Sequence, residues 1–127
     1  MTIPVDMFNE EHELFRAQCR RFIEKSLAPF ADAWEDAKDF PDEAFRTTGE
    51  AGFFGIRVPE EHGGSGGDHL MASVWIEECA GAGSAGVIAG LNMHGLIILP
   101  ALAQFGNEDQ KKRFLVPGVR GEKIGAL

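Results

Sequence analysis

The stretch from Ser84 to Gly106, SAGVIAGLNMHGLIILPALAQFG, decides how this chain folds. No Asp, Glu, Lys or Arg occurs between Glu78 and Glu108, while every other part of the chain is salted with charge. A run this apolar must be hidden in a protein core, in lipid or against an apolar ligand. As a helix of about 20 residues it is about 30 Å long, enough to span a bilayer. Asn92 and His94 in mid-segment, Pro100 within it and the lack of a one-sided basic flank favour a central core helix instead. One face of such a helix can still line an apolar pocket. Gly90 and Gly95 are expected to admit a second backbone, or a chain-like ligand, close to it.

Immediately upstream, GAGSAG spells a G-x-G-x-x-G at Gly81, Gly83 and Gly86. Dinucleotide binding needs a strand directly before those glycines, and here a helical pattern precedes them, so they read as a helix–helix turn. That preceding pattern is HLMASVWIEECA, with Asp68 as its cap and Leu70, Met71, Val74, Trp75 and Cys79 at helical spacing. Further back, FFGIRVPEEHGGSGG is a turn-rich loop, and it lacks the GK[ST] of a phosphate loop. Pro41 opens a helix, DEAFRTTGEA, that Gly52 ends. A piece from Phe30 to Lys38 presents Phe30, Ala33, Trp34 and Ala37 on one face. The first helix follows Asn9 as N-cap, with Leu14, Phe15, Gln18, Cys19, Phe22 and Ile23 on its apolar side.

Downstream of Gly106, Asn107 to Gln110 carries a capping-box pattern that opens a short helix. Pro117-Gly118 is expected to stop it, and RGEKIGAL to turn into a strand within which the chain ends. The sum is an all-α, up-and-down bundle of about six helices with short connections and no room for a sheet. A lone terminal strand without a partner implies a longer protein.

Charge and composition narrow the function. A net charge of -8 argues against nucleic acid and against anionic membranes. The two cysteines, Cys19 and Cys79, fall on apolar faces with no CxxC, and the four histidines are scattered, so no metal site is expected. The acidic N-terminus, MTIPVDMFNEEHELF, does not read as a signal peptide, and a cytosolic protein with reduced thiols is expected. The acid pairs Glu10-Glu11, Glu60-Glu61 and Glu77-Glu78 are neighbours in sequence, which splays them apart on a helix, so they form no two-carboxylate site. His62 beside Glu60 and Glu61 reads as a solvated turn. No catalytic residue is identified.

Larger blocks are more specific. HELFRAQCRRFIEKSLAPFADAWE, FPDEAFRTTGEAGFFGIRVPEEHGGSGGD, WIEECA and FGNEDQKKRFLVPGVRGEKIGAL, in that order, resemble the N-terminal helical domain of the acyl-CoA dehydrogenases, most of all bacterial members of the long-chain type. The likeness runs from about Phe8 to Leu127. Its most telling parts are Gly52-x-x-Gly55-Ile56-x-Val58-Pro59-Glu60-Glu61 followed by Gly63-Gly64, and Phe105-Gly106 followed by Gln110-Lys111 and Gly121-Glu122. His62 stands where the family more often has Tyr.

The resemblance implies that residues 1–127 are one domain of a three-domain FAD enzyme, without the middle β domain and the C-terminal helical domain that supplies the catalytic Glu. In such an enzyme a carboxylate takes the α-proton of an acyl-CoA while the β-hydride passes to FAD, giving a trans-2-enoyl-CoA. An electron-transfer flavoprotein is the implied electron acceptor, and a homotetramer the implied assembly of the complete enzyme. Carried over by position, Ile88, Ala89, Asn92 and Leu96 face the acyl chain and Leu127 approaches the flavin. The fragment alone is expected to be inactive and not to retain FAD. An acyl-CoA oxidase or a monooxygenase-like or nitroalkane-oxidising flavoprotein would share this domain. Alternatively it is a helical interaction module docking through Phe15, Phe22 and Phe53, although Phe residues are more often core.

Overall fold

The computed structural model describes residues 7–127; the first six residues of the N-terminal stretch read above for a signal peptide lie outside them. All regular structure among the described residues is helical. In chain order the helices are α1 (Glu10–Ser26), α2 (Ala31–Ala37), α3 (Asp42–Glu50), α4 (His69–Cys79), α5 (Ala85–Asn92), α6 (Leu99–Phe105), α7 (Glu108–Gln110) and α8 (Val116–Val119). A wider, π-helical segment, Met93–Ile98, joins α5 to α6, so Ala85–Phe105 is one continuous helix of 21 residues. A second such segment, Lys111–Leu115, joins α7 to α8. The bundle therefore has five long helical runs and the short α2, which matches the all-α expectation.

The helix starts follow the local chemistry. Asn9 Oδ1 accepts the His12 amide at 3.0 Å, and His12 Nδ1 accepts the Asn9 amide at 3.0 Å. This is a capping box in which an imidazole fills the place usually taken by Glu or Gln. His12 is itself buried, and its Nε2 donates to Asp68 Oδ2 at 3.3 Å. Asp68 in turn caps α4 by accepting the Met71 amide at 2.8 Å. One imidazole thus ties together the N-termini of two helices. Asn107 and Gln110 form the capping box expected at α7.

α1 lies along α4. Cys19 and Ile23 of α1 meet Val74, Trp75 and Cys79 of α4 in the core. Outside that seam an ionic cluster fixes the pair. Arg16 reaches Glu77 at 2.7 Å and Glu78 at 3.3 Å, and Arg20 grips both oxygens of Glu78 at 2.9 Å each. The bidentate guanidinium of Arg20, then Arg16, holds the Glu78 carboxyl below the usual glutamate range, against the opposing effect of its partial burial. Both thiols are free, and burial pushes each up to about 12, so they are unreactive filling.

The loop between α3 and α4 gives more to the core than its glycines suggest. Phe53, Phe54, Ile56 and Val58 are all buried. The chain then doubles back, and the Ser65, Gly66 and Gly67 amides donate to the carbonyls of Gly55, Val58 and Ile56. The returning limb of this loop lies so near the outgoing one that a Cβ at Gly64 would sit 2.0 Å from the Val58 carbonyl oxygen. PEEHGGSGG is therefore glycine-rich for close backbone contact. Phe53 stacks on Trp75 with 4.6 Å between centroids, and Phe22 packs on Phe53 at 4.7 Å.

Several local expectations are corrected. Leu14 is 62% exposed, so the apolar stripe of α1 is narrower than its periodicity suggests. On α2 the buried residue is Ala31, with Trp34 half-buried, while Ala33 and Ala37 face solvent. Pro117-Gly118 does not stop the last helix, which runs on to Val119 and ends where Gly121 takes φ +73°. The widened turn before Pro117 leaves room for its ring, and the Arg113 carbonyl, four residues back, accepts Lys123 Nζ at 2.9 Å instead. The tail turns at 120–123 as expected, but residues 124–127 form no strand, since no strand among the described residues is there to pair with.

Glu78→Gln is expected to lower the unfolding free energy by about 1–2 kcal/mol at neutral pH. A carboxylate held below its ordinary value, 4.5, stabilises the fold above that value and loses the effect as pH falls through its lowered one. Urea unfolding of both chains across pH should thus show the gap closing in acid. A gap that persists there would mean the charge is not the cause.

Candidate functional site

The uncharged helix Ala85–Phe105 has a sealed side and an open side. It is apolar and long enough to cross a membrane by length and composition, yet only 28% of its most apolar window is buried. The sealed side carries Val87, Leu91, His94, Gly95 and Leu99. Within α5, at 100° per residue, Ile88, Ala89 and Asn92 fall together on another side, while Leu96 belongs to the widened segment beyond it.

Three of those four meet in one groove. It has a volume of about 400 Å³ and is lined by Ile88, Ala89 and Asn92 from α5, by Ile76 and Cys79 from α4, and by the 80–85 turn. Ala89 is exposed, while Ile88 and Asn92 are half-buried. Leu96 lies a turn further on, half-buried against the core and outside the groove lining. Leu127 is 91% exposed. Two residues before it, Gly125 rests on Ile98, beside the widened turn and away from the groove.

Local chemistry positions the groove. Ser84 caps α5 by accepting the Val87 amide at 3.3 Å and donates its hydroxyl to Glu35 of α2 in a short hydrogen bond. This fixes the start of the helix, and the G-x-G-x-x-G is the turn in front of it. Asn92 is held by Trp75, whose indole Nε1–H donates to its Oδ1 at 2.9 Å. Trp75 is buried and stacked on Phe53, so the Asn92 amide has a fixed orientation at the groove wall. The role of Trp75, and the contribution of Ile76, escaped the sequence reading. Ile76 breaks the stripe of α4, being 51% exposed beside two glutamates, and that misplaced apolar residue was the available signal.

Gly90 and Gly95 do not serve a ligand. A Cβ at Gly90 would lie 3.0 Å from Phe40 Cζ, and one at Gly95 2.7 Å from Phe54 Cδ1. Both glycines make room for rings of the same chain. The docking residues of the interaction-module reading are core as well: Phe53 is buried, and Phe15 and Phe22 pack on it with centroids 6.1 and 4.7 Å away. A larger cavity of about 450 Å³ lies between α1 and the 51–71 region, with Glu11 and Asp68 in its lining. Carboxylates there suit an apolar chain poorly, whereas the groove lining has none. No group of three or more His, Cys, Asp or Glu is placed to hold a metal among the described residues.

Comparison with known proteins gives one family. Residues 9–122 match the family described as "Acyl-CoA dehydrogenase, N-terminal domain". The chain is 34% identical over 121 residues to the long-chain specific acyl-CoA dehydrogenase, mitochondrial, of Rattus norvegicus, a match covering 95% of this chain and 28% of the relative. It is 38% identical over 117 residues to the short-chain specific acyl-CoA dehydrogenase of Clostridium acetobutylicum, covering 91% of this chain and 30% of that one. Its fold superposes on the crystal structure of an acyl-CoA dehydrogenase from Geobacillus kaustophilus with a TM-score of 0.85 and 35% identity, over 94% of this chain and 31% of that chain. The chain thus spans under a third of the length of these relatives.

The two sides of the helix should respond differently to one added side-chain heavy atom. Gly95→Ala is expected to destabilise by about 1–3 kcal/mol through overpacking on Phe54. Ala89→Ser on the open side should stay within about 0.5 kcal/mol of the parent chain. Equal effects in urea unfolding would reverse the assignment of the faces.

Proposed function

This chain belongs to the acyl-CoA dehydrogenase family as its N-terminal domain, and from that membership we propose that it walls the acyl pocket of an FAD-dependent enzyme that converts an acyl-CoA to a trans-2-enoyl-CoA. The supporting observation is the groove at Ile88, Ala89 and Asn92, an apolar hollow against a helix with no charge. Each methylene buried in such a slot contributes about 0.8 kcal/mol, so the wall's shape acts on chain length. Asn92, fixed by Trp75, gives the wall one polar point of known orientation. Leu96 extends the same wall toward the widened turn.

In this family the flavin supplies the hydride acceptor. The glycine motif of this chain is a helix turn, and Leu127, the proposed flavin contact, lies exposed at the end of the described tail. In the proposal, most of the flavin site and the catalytic carboxylate belong to further domains of the complete enzyme, and Leu127 is this chain's approach to the flavin. This domain contributes the apolar wall and excludes water from it. The same reading assigns an electron-transfer flavoprotein as redox partner, a homotetramer as the assembly of the complete enzyme, no membrane span and a cytosolic location. The two free, buried thiols are compatible with a reducing compartment.

Ala89→Phe in the complete enzyme fills the groove mouth and is expected to shift the preferred acyl-CoA toward shorter chains, read as kcat/KM across a chain-length series. An unchanged profile would remove Ala89 from the pocket. Separately, the purified 127-residue chain is expected to show no flavin absorbance after incubation with FAD and desalting. Stoichiometric retention would contradict the assignment of the flavin site to other domains.

A further inference from the structure

His94 is 1% exposed, in the middle of a helix whose other buried side chains are apolar. Both of its ring nitrogens are engaged. Nε2 lies 2.8 Å from the carbonyl oxygen of Gly118, and Nδ1 lies 2.9 Å from the amide nitrogen of Gly125. A carbonyl can only accept and an amide N–H can only donate. The partners therefore require a neutral ring with its proton on Nε2 and a bare Nδ1. Phe54 and Phe45 meet the ring edge-on, with centroids at 4.6 and 5.8 Å.

The segment that this ring touches has few other anchors. The Gly121 and Glu122 amides donate to Gly118 and Pro117, and Lys123 Nζ to Arg113. Beyond Lys123, the Gly125 amide makes the one hydrogen bond found among the described residues. Gly125 also presses so closely on Ile98 that a Cβ there would lie 2.4 Å from Cγ2.

We propose that His94 is a positioning residue that holds residues 124–127 against the helix Ala85–Phe105, and that it does so only as the neutral Nε2–H imidazole. Adding a proton to Nδ1 turns the acceptor of the Gly125 amide into a second donor. The two N–H groups then oppose each other and the contact opens, while the Nε2–H bond to Gly118 survives. The groups packed on His94 from α3, the loop, α8 and the tail are Phe45, Phe54, Gly118 and Gly125, none of them titratable. The charged residues nearest along those segments are Arg46, Arg120, Glu122 and Lys123, which are exposed, and Arg57 of the loop, which is half-buried and donates to the Gly67 carbonyl. Burial holds His94 below the ordinary histidine range, only partly offset by the Gly118 carbonyl. The contact is therefore present at neutral pH and lost as pH falls through that lowered value. What this does to Leu127 in a complete enzyme rests on the proposed approach to flavin; the contact itself does not.

The test is nitrogen-15 NMR of the 127-residue chain over a pH series, reading the His94 ring nitrogens and the exchange protection of the Gly125 amide. The expected result is an Nε2–H tautomer at neutral pH. Gly125 protection, corrected for intrinsic exchange, should fall by about tenfold with the midpoint of ring protonation, while the Gly121 amide stays protected. An Nδ1–H tautomer, Gly125 exchange that ignores the ring's protonation, or simultaneous loss of both amides would each overturn the proposal. His94→Phe keeps an aromatic ring but neither nitrogen, and should leave Gly125 unprotected at every pH. If that variant does not fold, the titration of the parent chain decides alone.

Discussion

A helix without a single charge can pack into a bundle of this kind only if its inward-facing polar side chains are answered. In Ala85–Phe105 the polar side chains turned inward are Asn92 and His94, Gln104 being exposed, and much of the tertiary structure is arranged to meet those two. Trp75 supplies a donor to Asn92, and Gly118 and Gly125 supply an acceptor and a donor to His94. Left unmet, each buried group would cost about 1–3 kcal/mol, a large part of a small domain's stability. Meeting them fixes how the helix is rotated. That rotation settles which side is sealed by Phe40, Phe45 and Phe54 and which side faces outward as the groove wall.

The other parts of the fold support this placement from a distance. Trp75 can reach Asn92 only if α4 is held in register along α1. The Arg16–Glu77–Glu78–Arg20 cluster and the His12–Asp68 contact between helix starts hold it there. Ser84 and Glu35 set where α5 begins. The two widened turns, each followed by a proline two residues on, let Pro100 and Pro117 stay inside continuous helix. The charged residues thus act mainly on the orientation of α1 and α4, and the uncharged helix depends on that orientation.

Helical periodicity and caps were enough to locate the helices. Asn9, Asp68, Ser84 and Asn107 each offer a short polar side chain at a helix start, and chemistry of that kind is local. Long-range consequences were not legible. Gly90 and Gly95 looked like openings for a ligand, because nothing in sequence shows that Phe40 and Phe54 occupy the space. Pro117 looked like a stop, because the wider turn that accommodates it has no local signature. The tail looked like a strand because its residues allow one, but a strand needs a partner. At the groove, helical spacing together with family resemblance put Ile88, Ala89 and Asn92 on one face, whereas Ile76 joins them only through the packing of α4.

The central claim is that this helix face is the wall of an acyl slot. The most direct measurement is photolabelling of the complete enzyme with an acyl-CoA that carries a diazirine near the end of its chain, followed by peptide mapping. Adducts at Ile76, Ile88, Ala89, Asn92 or Leu96 are the predicted result. Adducts that avoid this face and fall at Phe15, Phe53 or Met71, in the larger cavity beside α1, would contradict it.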